Sequence, residues 1–249
     1  MKEKTDYYGT EGYNFSSKKD EINKIFNTPD YQEYKTKKRK TQKRKELTYK
    51  VTSIGNSTNS VKFLILSNTL IFILSYFFIP SLILKFASYN ITNESFAIYQ
   101  PFTSMFLHAS IIHILFNMIM LWSFGNQLEQ IIGTKKFLFI YFLSGLVSGI
   151  LWMFFGTSAA VGASGALCGL LAAFVFISPE SKVLLFFIIP VKIKGLVYGF
   201  ALFSLVFGVL SMINPILGFG VGHFGHLGGL IGGYLIALYW SKRKLIPTT

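Results

Sequence analysis

After residue 62 this chain almost stops carrying charge. The first 62 residues hold 15 of the 24 Lys/Arg and 8 of the 11 Asp/Glu, leaving nine basic and three acidic residues for the other 187. Those 187 residues are organised around six apolar stretches, at about 63–84, 103–124, 136–155, 164–178, 196–212 and 224–240. Most reach or approach the ~20 residues that a helix needs to cross a ~30 Å hydrocarbon layer. Lipid offers the backbone no hydrogen-bond partners, so a spanning segment has to satisfy its own peptide groups. Charged residues make up 14% of the chain, against roughly 25% in a soluble domain. The expected fold is therefore all-α: a polytopic membrane protein with six transmembrane helices over 61–244, a polar region at 1–60 and a short tail at 245–249.

The basic residues orient this bundle. The tail before span 1, Lys135 and Lys136, Lys182, Lys192 and Lys194, and the Lys242-Arg243-Lys244 cluster all fall on one side if six spans are threaded. The opposite loops, about 86–102, 156–163 and 213–223, contain no Lys or Arg, and only Lys85 lies at their margin. Positive charge stays on the cytoplasmic face, so both termini are expected there. The apolar segment 183–190 is too short to span and is expected at the membrane surface. The first apolar run starts near Phe63, which points to an uncleaved signal anchor rather than a cleaved leader. The single cysteine, Cys168, excludes an intramolecular disulfide and a Cys-rich metal site; no metal or cofactor is expected.

Residues 1–60 are rich in Lys and Tyr and poor in aliphatic side chains, a composition that does not build a core. They are expected to be largely disordered, with short helices near 20–26. The basic run at 35–45 has three readings. A juxtamembrane segment resting on anionic lipid is favoured, ahead of a solvated tail. Nucleic-acid binding is not expected, because the run is short and tethered to a membrane.

Three spans contain polar residues that a lipid-facing helix avoids, and such residues are costly unless they are used. Span 2 holds His108, His113 and Asn117, the last two sharing a helix face. Span 4 opens with Ser164, and span 6 opens with His223 and His226. Counted from the cytoplasmic ends at ~1.5 Å per residue, Ser164 and His226 both lie roughly 21 Å up, with His113 about one turn lower. Span 4 is short, so its start is expected to be submerged and reached through a water-filled cavity. Gly165 and Gly169 give span 4 a small-residue face, and Gly229 and Gly233 give span 6 another, in line with His226. Such faces let backbones approach closely. If the two faces oppose one another, Ser164 and His226 meet at hydrogen-bond distance, as a nucleophile and its base.

At these residues the chain resembles the rhomboid intramembrane serine proteases. The matching pieces are His108-Ala-Ser-Ile-Ile-His113-Ile-Leu-Phe-Asn117, Gly162-Ala-Ser164-Gly165 and Gly225-His226-Leu-Gly-Gly229-Leu-Ile-Gly-Gly233, in family order on spans 2, 4 and 6. Glu129-Gln-Ile-Ile-Gly133 is similar to the family's acidic-Gly element after span 2. The resemblance covers roughly 63–240. It implies that Ser164 is the nucleophile and His226 the general base, a dyad without an acidic third member. It further implies that His113, Asn117 and the Ser164 N–H form the oxyanion hole, with His108, Gly162, Gly165, Cys168, Gly229 and Gly233 in support. The competing structural readings are a helix cap for Ser164, packing hydrogen bonds for His113 and Asn117, a loop position for His223 and an acceptor at the cytoplasmic end for Glu129.

Two departures stand out. One turn after the nucleophile, where the family often has an aromatic packed on the histidine, this chain has Cys168. In the first outer loop, Tyr99-Gln100 replaces a frequent Trp-Arg. The implied function is an intramembrane serine endopeptidase that cleaves transmembrane segments of other proteins. Its expected place is the plasma membrane of a bacterium, with the active site opening to the outer side. The alternatives are a non-proteolytic relative that binds membrane clients, against which the retained Ser and His argue, and a proton-linked transporter using His108, His113 and His226, which leaves the Gly-Ala-Ser-Gly element unexplained.

Overall fold

Helix is the only regular structure that an apolar chain of this kind sustains at length, and six long helices follow one another from residue 59. The computed structural model describes residues 23–24, 26–39, 58–185 and 189–247, and the chain divides into two units, Met1–Gly55 and Asn56–Thr249. In the first unit the described residues 23–24 and 26 are helical, within the stretch where short helices are expected, and residues 29–39 form a longer helix. Its described residues are exposed apart from half-buried Tyr31. A Glu33–Lys37 pair at 2.7 Å spans one turn of it. Residues 40–45 of the basic run lie outside the described residues.

In the second unit the long helices are α1 (Asn59–Phe78), α2 (Ile111–Ile132), α3 (Thr134–Phe155), α4 (Ser164–Ile177), α5 (Ile193–Ile213) and α6 (His223–Lys242). Helices α1, α2, α3 and α5 are long and apolar enough to cross a membrane. Helix α4 has 14 residues, a length of ~21 Å. Helix α6 has 20 residues, but five glycines and two histidines dilute its apolar character. Length and composition thus support four spans among the described residues, where apolar patterning gave six.

Two helices depart from the expected bounds for identifiable reasons. Helix α1 stops at Phe78, six residues early, after a widened π-type last turn (Leu74–Phe78), because Pro80 disfavours helical geometry in Ile79. A separate short helix, Ser81–Phe86, follows. Helix α2 begins at Ile111 rather than 103. Ser110 is extended (φ −157°, ψ 163°) and caps it, its hydroxyl accepting from the His113 N–H at 3.2 Å. His108 therefore lies before the helix rather than on it. Residues before it fold as two short turns, Gln100–Thr103 and Ser104–Phe106.

At its other end α2 continues past 124 through buried Asn126 and Glu129. Partners distant in sequence make that burial tolerable. Asn126 Oδ1 accepts from the Thr58 N–H at 2.8 Å, and the Glu129 carboxylate accepts from the Thr134 hydroxyl at 2.6 Å and from the Thr58 hydroxyl. Gly133 then turns the chain into α3 with φ +82°, a conformation side chains rarely adopt, while its N–H closes on Glu129 O at 2.8 Å. The acidic-Gly element is thus a buried acceptor and the turn next to it.

The all-α expectation needs one amendment. Between α4 and α5 the chain forms an antiparallel hairpin of β1 (Lys182–Leu185) and β2 (Ile189–Lys192), with Lys182 opposite Lys192. Exposed Glu180 precedes it and pairs with Lys192 at 2.6 Å and with Lys194. Hydrogen bonds from these two ammonium groups hold its carboxyl well below the ordinary value of 4.5, at about 2.

Helix α4 is the axis of the core: nearly every residue from Gly165 to Ile177 is buried. Around it pack Leu64 of α1, Leu121 and Leu128 of α2, Ile140 and Tyr141 of α3, Ile193 and Val197 of α5, and Leu230 and Ala237 of α6. The outside is equally apolar. Phe63, Leu66, Leu115, Leu202 and Leu235 are all more than half exposed, a surface suited to lipid rather than to water. This is an integral membrane protein.

Candidate active site

Ser164 opens α4, and the turn before it is pinned from two sides. Ala160 and Ser88 exchange backbone hydrogen bonds at 2.8 Å, and the Gly162 N–H donates to Ser104 O at 2.9 Å. Gly162 has φ +127°, and a Cβ there would lie 2.8 Å from both Cε1 and Nε2 of His113. Only glycine therefore lets the His113 ring lie against this turn. The Ser164 Oγ is 3.7 Å from the same point, so ring, turn and hydroxyl are neighbours. The expected position of His113 one turn lower assumes an α2 end at 124. That end is Ile132, and side chains on a helix point back toward its N-terminus.

His226 comes to Ser164 from α6. Its Nε2 is 2.9 Å from the Ser164 Oγ, across 62 residues of sequence. The approach is set by the glycines. A Cβ on Gly229 would sit 2.0 Å from Gly165 O, and one on Gly233 would sit 2.1 Å from Gly169 O. The small-residue faces of α4 and α6 are thus in backbone contact.

A third helix completes the junction and was missed by the sequence reading. Added Cβ atoms on Gly165 and Gly169 would meet Ser148 Oγ and Ser144 Oγ of α3, each at 2.0 Å, and one on Gly228 would meet Val147 O at 2.8 Å. The available signal was Ser144-Gly145 repeated four residues later as Ser148-Gly149.

The remaining candidates fall into two groups. Asn117, buried on α2, donates from Nδ2 to His113 O at 2.8 Å. A side-chain amide has two N–H donors, so one is engaged by its own helix. His108 is fully buried, its ring 5.1 Å from that of His113. His108 thus packs on the ring that lies against the Gly162 turn, and Asn117 bonds one turn back on its own helix. Glu129 is occupied by Thr58 and Thr134, and no hydrogen bond links it to His226.

His223 is helical and buried rather than a loop residue. It is the first residue of α6, and its Nε2 is 3.2 Å from Gly218 O. Cys168 is buried in the core. The ring against His226 comes instead from α5: Phe200, at 5.3 Å between centroids and 40° between planes. Gln100, in the loop where an Arg is frequent, is buried and makes three hydrogen bonds. It donates to Ser95 O at 2.7 Å and Lys85 O at 3.2 Å, and accepts from the Ala97 N–H at 3.0 Å. A neutral amide thus ties together the first outer loop.

A hydroxyl bonded to an imidazole at the start of a buried helix can be deprotonated by it. The N–H groups of the first helical turn and the positive end of the helix dipole lie beside it. The Rhomboid domain family matches residues 95–243. The chain is 33% identical over 138 residues to Rhomboid protease GluP of Bacillus subtilis (strain 168), covering 54% of this chain and 24% of that protein. It is 32% identical over 166 residues to Rhomboid-like protease 3 of Toxoplasma gondii, covering 66% and 59%. To Rhomboid protease GlpG of Yersinia pestis (strain Pestoides F) it is 30% identical over 160 residues, covering 64% and 54%. The chain spans about a quarter to three fifths of the length of these relatives. With the family match running from the loop before α2 to the end of α6 and enclosing every residue of the site, the chain belongs to the rhomboid family.

Proposed function

We propose that this protein is an intramembrane serine endopeptidase that cleaves transmembrane segments of other membrane proteins through a dyad of Ser164 and His226. The observation that carries the reading is the 2.9 Å contact between Ser164 Oγ and His226 Nε2 at the start of a short, buried helix. His226 takes the hydroxyl proton as Ser164 Oγ adds to the scissile carbonyl carbon. The resulting oxyanion is met by the Ser164 N–H, the His113 ring and the second N–H of Asn117. His226 then gives its proton to the departing amine, leaving an acyl-enzyme on Ser164. A water activated by the same imidazole hydrolyses that ester.

The setting fits a reaction that needs water inside a membrane. Helix α4, at ~21 Å, falls short of a ~30 Å hydrocarbon layer, which supports a Ser164 lying below the surface and reached by water through a recess. Six helices crossing the bilayer, with both termini on the basic side and the recess on the other, accommodate this. A spanning substrate helix has to unwind to present its peptide bond, so segments weakened by Gly or Pro are the favoured partners. Anionic lipid at the basic run 35–45 is the second proposed partner.

The test is labelling of the purified protein with a fluorophosphonate probe, which needs an activated serine and no known substrate. Wild type is expected to label, and Ser164→Ala and His226→Ala are expected not to. A folded wild type that stays unlabelled at saturating probe would refute the dyad and favour a client-binding role without cleavage.

A further inference from the structure

An imidazole acting as a base has to be held in one plane, and His226 lacks the usual means. Its Nε2 is on the Ser164 hydroxyl. Its Nδ1 is buried, and no described residue hydrogen-bonds to it, so no described carboxylate orients the ring. Position 168, one turn after the serine, carries a thiol rather than a ring. Two aromatic rings face the imidazole from elsewhere. Phe200 lies tilted across it at 5.3 Å, and the His223 ring stands perpendicular to it at 6.4 Å. His223 is itself fixed, by Gly218 O at 3.2 Å and by the rings of Phe203 at 5.6 Å and Phe207 at 5.9 Å. Phe200, Phe203 and Phe207 recur at helical spacing, so one face of α5 carries all three rings onto the two histidines of α6.

We propose that Phe200 is the positioning residue for His226, supplying from α5 the ring packing that position 168 does not provide. The inference rests on the dyad reading above. It makes the seating of α5 against α6 a condition for reactivity at Ser164, although α5 contributes no reacting group. Aromatic pairs favour tilted and edge-on geometries over arbitrary contact, so the ring and not merely its bulk is what matters.

The experiment compares wild type, Phe200→Tyr, Phe200→Leu and Phe200→Met, as full-length protein, by the kinetics of fluorophosphonate inactivation together with thermal unfolding. Phe200→Leu and Phe200→Met keep apolar volume but remove the ring. They are expected to lower the maximal inactivation rate about tenfold, the equivalent of about 1.4 kcal/mol in the barrier. The probe's half-saturating concentration and the melting temperature should stay unchanged. Phe200→Tyr is expected to retain the wild-type rate. Equal rates in wild type and both aliphatic variants would overturn the proposal, as would an equal loss in Phe200→Tyr or a loss that follows the melting temperature. A wild type that does not label removes the dyad reading itself, whereas a labelled wild type indifferent to Phe200→Leu removes only this one.

Discussion

Substitution of Gly229 by alanine tests the central junction most severely. The added methyl would lie 2.0 Å from Gly165 O, 2.7 Å from Gly165 C and 3.0 Å from Gly165 Cα. These are backbone atoms in the first turn of α4 and cannot rotate away. Restoring ordinary contact at 3.4 Å requires the two helices to part by about 1.4 Å here, in an interior with no slack to absorb it. Gly165 adjoins Ser164, and Gly229 lies one turn from His226, so the wedge opens where the dyad sits. A separation of that size carries the 2.9 Å hydrogen bond beyond bonding distance. Overpacking costs ~1–3 kcal/mol of stability, while a misplacement of ~1 Å at reacting groups costs about 10²-fold in rate. Gly229→Ala is therefore expected to lower fluorophosphonate labelling by at least about 10²-fold while the protein remains folded with a modestly lower melting temperature. Gly195→Ala and Gly199→Ala on α5 serve as controls, since an added Cβ meets nothing within 4 Å at either, and both should label as wild type. Wild-type labelling by folded Gly229→Ala would refute the argument that the glycine contact sets the dyad distance.

Two further outcomes follow from groups away from the dyad. Gln100→Ala removes three part-buried hydrogen bonds from the first outer loop; at about 0.5–1.5 kcal/mol each, their loss should be read as a lower melting temperature and faster proteolysis within 85–100, and unchanged values would refute its anchoring role. For Glu180 the folded value is depressed to about 2 from 4.5, so any stability from its lysine pairs is fully present above the unfolded value and lost as pH falls through about 2; a carbon-13 titration of this carboxyl should show that midpoint, and one near 4.5 would refute the pairing.

What could be read from the sequence was whatever is expensive in lipid. Ser164, His113 and His226 stand out because polar groups in apolar stretches are costly, and Gly165, Gly169, Gly229 and Gly233 stand out because their spacing lines one helix face. What escaped depended on partners supplied from far along the chain. Helix α2 reads as ending at 124 because Asn126 and Glu129 are polar, yet both are buried against Thr58, which precedes α1 about 70 residues earlier. The serines of α3 read as ordinary membrane-helix residues until their contacts with Gly165 and Gly169 are known. Phe200 is one of 26 phenylalanines, and no spacing rule separates it from those facing lipid. The hairpin after α4 was legible only as a segment too short to span, because its pairing is set by register and by the Glu180–lysine pairs rather than by hydropathy.

The same contacts build the fold and the site on α4 and α6, and this limits how the two can vary. Gly165 touches Ser148 and Gly229 and is itself the residue next to Ser164, so a substitution there disturbs packing and chemistry together. Helix α5 is different. Its outward face is apolar and open, with Leu202, Leu205, Met212 and Ile213 each at least half exposed, and its inward face bears the rings that meet His223 and His226. Changes on its outer face leave the glycine junction untouched. A change that loosens α5 on the proposed reading would free the imidazole without unfolding the core. Reactivity and stability should therefore separate in variants of α5 and fall together in variants of the α4–α6 glycines, and that contrast distinguishes a ring held by packing from one held by the junction alone.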